Sequence, residues 1–70
     1  MIIKTEIQAV IWKISVEIGQ KVDIDDVVVI LESMKMEIPV EAPAAGTLAE
    51  ILVKEEDPVD EDQVVAIIET

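Results

Sequence analysis

Five apolar residues follow one another at Val27-Val28-Val29-Ile30-Leu31, and Val64-Val65-Ala66-Ile67-Ile68 repeats the run 37 positions later. Short runs of β-branched residues bounded by turn formers read as buried strands. Upstream, Val10, Trp12, Ile14, Val16 and Ile18 alternate with mostly polar residues. That period of two marks a half-buried strand with these five on its inner face, and residues 47–53 are its counterpart. The single aromatic, Trp12, reads as a partly buried strand residue. No segment carries a helical period. The pattern predicts six to eight short strands and no helix of consequence.

The repeat extends beyond the apolar runs. At an offset of 37, without a gap, identities fall at Val16/Val53, Val22/Val59, Asp23/Asp60, Asp25/Asp62, Val27/Val64, Val28/Val65, Ile30/Ile67 and Glu32/Glu69. Each copy reads strand, acidic turn, short strand, acidic turn, strand. A copy this small cannot bury its apolar face alone, so two must pack together. The expected fold is all-β, a sandwich of two antiparallel sheets with quasi-two-fold symmetry. Ser33 aligns with Thr70, so the first copy continues into Met34-Lys35-Met36 where the second stops. A two-fold axis then sets that segment and the C-terminus at opposite ends, an arrangement suited to a module tethered at one end and working at the other.

Composition narrows the chemistry. The 70 residues make one small domain. Sixteen acidic residues against five lysines give a formal net charge of −11. That balance argues against nucleic acid, which needs clustered cations, and against anionic membrane. Cysteine and histidine are both absent. Disulfides, thiolate-held metal and histidine catalysis are thereby excluded, and the lack of cysteine fits a reducing cytoplasm. The acidic stretches Asp23-Ile24-Asp25-Asp26 and Asp57-Pro58-Val59-Asp60-Glu61-Asp62 lack calcium-loop spacing and recur where turns are needed, so they read as solvated turns. Pro39, Pro43 and Pro58 read as residues that set strand ends and turns.

One short stretch breaks the local rules. Residues 27–31 and 37–40 read as two strands too close for anything but a tight turn. Such turns favour glycine or asparagine, because their central residues need positive φ. Met34-Lys35-Met36 stands there instead. A rule broken in an otherwise consistent sequence points to function. A solvated surface lysine is the plain reading of Lys35. A covalent attachment point is the sharper one: an ε-amine on a protruding turn is accessible, and it is nucleophilic once a partner removes its proton.

Glu32-Ser33-Met34-Lys35-Met36 resembles the (A/S)-M-K-M signature of biotinyl domains. Val40-Glu41-Ala42-Pro43-Ala44-Ala45-Gly46 resembles the "AP…G" element of the same biotinyl/lipoyl attachment family. Residues 12–22, with Val16, Gly19 and Val22, resemble its "V-x-x-G-x-x-V" turn. The likeness runs from about Ala9 to Glu69. It implies a flattened barrel-sandwich hybrid over residues 1–70 with a biotinyl-lysine hairpin at one end. It implies a carrier, not an enzyme: Lys35 takes covalent biotin from biotin protein ligase, with Met34, Met36 and Glu32 as recognition residues. The implied partners are the biotin carboxylase and carboxyltransferase sites of a biotin-dependent carboxylase. A lipoyl carrier holding lipoate, or an unmodified interaction module, are the alternatives. The family often has glycine at turn positions occupied here by Ala9, Asp25, Glu56 and Asp62. The two aspartates are mild changes, whereas Glu56 suggests a different local turn.

Overall fold

A computed structural model describes residues 1–70. Eight strands and no helix make up the chain: β1 (Ile2–Lys4), β2 (Ala9–Ile14), β3 (Lys21–Val22), β4 (Val27–Ser33), β5 (Met36–Glu41), β6 (Gly46–Ile51), β7 (Pro58–Val59) and β8 (Val64–Glu69). They form two antiparallel four-stranded sheets, in the orders β1-β8-β6-β3 and β5-β4-β2-β7. Adding 37 to the residue numbers turns β2, β3 and β4 into β6, β7 and β8, and β1 into β5. The first sheet thereby becomes the second, and the repeat is a structural two-fold. Each half supplies strands to both sheets, which is why neither half can close alone. No helix is long and apolar enough to cross a membrane.

Fifteen buried apolar residues form one cluster between the sheets, with Ile11, Val28, Val29, Leu31, Leu48, Val65, Ala66 and Ile68 fully enclosed. The simple alternation fails at the bulges. Between β2 and β4 the register passes from Ile11↔Leu31 to Lys13↔Ile30, leaving Trp12 as the extra residue. Leu48↔Ile68 and Glu50↔Ile67 leave Ala49 in the matching place. Val28 and Val65 are extra residues opposite β5 and β1. A bulge lets two neighbours face one way, so Val28-Val29 and Val65-Ala66 are buried as adjacent pairs.

The expected inner face of residues 10–18 is corrected accordingly. Ala9, Ile11 and Val16 are buried, whereas Val10, Trp12 and Ile18 are 42%, 46% and 65% exposed. The strand starts with Ala9 inward and ends at Ile14, and the chain then crosses to the other sheet. There the Gly19 N–H donates to the Leu48 carbonyl at 2.7 Å. Pro39 is also not a strand end. It lies within β5, opposite Ile30, on an edge strand where a missing N–H leaves no ladder bond unmade.

The substituted turn positions keep the glycine geometry. Asp25, Glu56 and Asp62 have φ of 70°, 74° and 63°, and Gly19, the two-fold mate of Glu56, has φ of 90°. The expected different turn at Glu56 is therefore absent. Its N–H bonds the Ile11 carbonyl at 2.6 Å, mirroring the bond at Gly19, and this pairing holds Glu56 in place. Side chains close these turns: Asp23 N–H donates to Asp26 Oδ2 at 2.8 Å, and Asp60 N–H to Gln63 Oε1 at 2.9 Å. A non-glycine residue in this region costs about 1–2 kcal/mol, against about 0.5–1 kcal/mol of extra chain entropy for glycine. Glu56→Gly is therefore expected to stabilise the domain by roughly 0.5–1 kcal/mol, read as a higher urea midpoint. An unchanged or lower midpoint refutes the strain assigned to Glu56.

Ala9 is not a turn residue either. It opens β2 and is buried, and its mate is Gly46 at the start of β6. A Cβ on Gly46 would collide with the Glu69 carbonyl oxygen and lie 2.6 Å from Ile68 Cγ2. Backbone cannot step aside cheaply, so Gly46→Ala is expected to cost about 1–3 kcal/mol. A thermal melt indistinguishable from the parent's would contradict that contact.

Candidate functional site: a lysine on a hairpin tip

Strands β4 and β5 are joined by two residues, with Ser33 paired to Met36. The linkers Met34 and Lys35 have φ of 52° and 66°. Two consecutive left-handed residues define a type I′ turn, whose twist matches that of the flanking strands. Neither residue is one the turn prefers, and each costs on the order of 1 kcal/mol. In the repeat, Ser33 of this hairpin aligns with Thr70.

The three tip side chains point into solvent. Met34 is 91% exposed, Met36 is 64% exposed, and Lys35 is exposed between them. Met36 belongs to β5 rather than to the turn. Behind the tip, Glu32 on β4 stands directly opposite Glu37 on β5, and both are exposed. Like charges so placed repel. Sequence reasoning does not single out Glu37, although a two-residue turn at Met34-Lys35 dictates that pairing.

The hairpin leans on the linker between β1 and β2 and on the turn before β8. Ser33 Oγ lies 3.5 Å from the Gln8 carbonyl, Gln8 Nε2 donates to Asp60 Oδ1 at 3.3 Å, and Thr5 Oγ1 donates to the Asp60 carbonyl at 2.6 Å. Strand β8 therefore starts near the tip and runs away from it. At about 3.3 Å per residue, its six residues travel about 20 Å, within a body 32 Å long and 17 Å across. Met1 bonds Ile68 near the far end of β8. Both termini thus lie opposite Lys35; the repeat predicts this for the C-terminus, and the bond from Met1 to Ile68 adds the N-terminus.

Fold and site together define a small β-domain that holds one amine out at the end remote from both termini. The model of the family described as Biotin-requiring enzyme (Biotin_lipoyl) matches residues 1–68, and the chain belongs to that family. It is 39% identical over 64 residues to a biotin/lipoyl attachment protein of Bacillus subtilis (strain 168), covering 91% of this chain and 88% of that one. It is 49% identical over 51 residues to a putative urea carboxylase of Emericella nidulans, covering 70% of this chain but 4% of that protein's length. Among solved structures, the urea carboxylase of Kluyveromyces lactis superposes with a TM-score of 0.92 at 34% identity, over 97% of this chain and 6% of that one. The lipoyl domain of the 2-oxoglutarate dehydrogenase complex of Azotobacter vinelandii gives 0.77 at 25% identity, over 90% of this chain and 80% of that one.

Proposed function

We propose that the chain is a biotin carrier and that Lys35 is its attachment point. The observation that carries this is the type I′ turn, which sets the amine at the apex of the β4–β5 hairpin between two exposed methionines. Acylation forms an amide between Lys35 Nζ and the biotin carboxyl carbon, while a proton and the activating group leave. Biotin protein ligase supplies the activated acyl group and the base. Nothing at the tip obstructs that approach. Met34 and Met36 give the ligase adaptable apolar contacts, and Glu32 with Glu37 gives it hydrogen-bond acceptors.

When attached, biotin supplies a ureido nitrogen that accepts and releases a carboxyl group. The domain supplies transport. Biotin carboxylase and carboxyltransferase sites are the partners, and a tethered arm visits both at high effective concentration. The acidic body disfavours nonspecific docking on nucleic acid or anionic membrane, leaving the tip as the main contact.

Co-expression with biotin ligase and lipoate ligase, followed by intact mass, tests this reading. One biotinyl increment is expected, absent in Lys35→Ala. A lipoyl increment under that competition would establish a lipoyl carrier instead, and an unmodified mass an interaction module.

A further inference from the structure

Alternate residues of β5 share a face. Met36, Ile38 and Val40 therefore form an apolar track leading from the tip towards the body. The track ends in a groove of about 380 Å³ between the two edge strands β1 and β5. Ile7, Ile38 and Val40 line it, half-buried and packed on the core. Lys4 and Glu6 stand on its rim at the end near the hairpin, because Lys4 pairs with Val64, where β8 begins.

Reach connects the groove to Lys35. The lysine side chain plus the pentanoyl chain of biotin spans about ten bonds, roughly 12 Å at ordinary bond lengths. Ile38 is three residues down β5 from Lys35, about 10 Å away. A ring on that arm can fold back onto Ile38 and Ile7. The chemistry also matches. The bicyclic ring has an apolar body that suits the two isoleucines. Its ureido edge carries one carbonyl and two N–H groups. The Lys4 ammonium can donate to the carbonyl, and the Glu6 carboxylate can accept from an N–H. A concave apolar surface with a few convergent polar groups is the usual form of a small-molecule site.

A second hollow lies near the hairpin, on the β2–β7 side, bordered by Gln8, Val10, Glu32, Pro58 and Asp60. Its lining holds no isoleucine or leucine, and its two carboxylates have no cation among the lining residues to receive the ureido carbonyl. The groove between the edge strands is the better match.

We propose that this groove is a resting site for the biotin ring carried by Lys35, holding the ring against Ile7 and Ile38 between visits to partner active sites. The proposal rests on the carrier reading, and its test separates the two. NMR spectra of the unmodified and biotinylated domain are compared after intact mass has been recorded on the same sample. Methyl shifts at Ile7 and Ile38, with nuclear Overhauser contacts from the ring protons to those methyls, are expected. Ile7→Asp is expected to abolish the contacts while the tip resonances stay as in the parent. Should that variant fail to fold, the contacts in the parent domain decide the matter alone. Shifts confined to residues 33–37, or contacts to Val10 and Pro58 instead, overturn the resting site and leave the carrier reading standing. A sample without biotin after co-expression with its ligase overturns both.

Discussion

Lys35→Arg is expected to end biotin incorporation completely while leaving the fold intact. The guanidinium keeps the positive charge and the exposure of the tip, but it does not deprotonate under any condition the domain survives, so it cannot attack an acyl carbon. Stability should change by no more than about 0.5 kcal/mol, the usual range for a surface substitution. The other four lysines provide an internal control. Lys4, Lys13, Lys21 and Lys54 are all exposed, three of them within strands. Exposure is thus common to every lysine of the chain, and only Lys35 stands on a two-residue turn. Streptavidin blotting with peptide mass mapping distinguishes the cases. Biotin found on another lysine of the Lys35→Arg variant would show that a solvent-facing amine suffices and that the turn geometry is irrelevant.

Leu48→Ala is expected to remove a large part of the domain's stability. Leu48 is fully buried in β6, at the two-fold mate of Ile11. Truncating such a residue costs about 2–5 kcal/mol. A chain of this length holds only about 4–10 kcal/mol in total. Ile11→Ala should cost a similar amount, because the two side chains occupy equivalent places between the sheets. Urea unfolding with an unchanged slope reads both. A loss below about 1 kcal/mol at either position would mean that the two halves do not share the single core described. Biotinylation should fall with the folded fraction in these variants, unlike Lys35→Arg, which loses it while folded.

Several features are legible without any coordinates. The run from Val27 to Leu31 and its echo from Val64 to Ile68 specify buried strands, and the gap-free repeat specifies two equivalent halves. Met34-Lys35, where glycine or asparagine belongs, marks the tip. Because a two-residue turn dictates its own pairing, Glu37 opposite Glu32 is readable from the same stretch.

Other features have no local signature. Alternation gives Trp12 an inward place, yet it is the extra residue of a bulge, and bulges arise from how a strand meets its neighbour. Glu56 keeps the left-handed turn of Gly19 because a hydrogen bond to Ile11, far away in sequence, holds it there. The groove between β1 and β5 exists only because the two halves exchange strands and leave two edges side by side. Residue type and order were enough to determine the strands, the two-fold and the exposed amine, since each depends on neighbours along the chain. Which face each bulged strand buries, and what lies within reach of the lysine arm, depends on contacts between segments dozens of residues apart, and packing alone decides those.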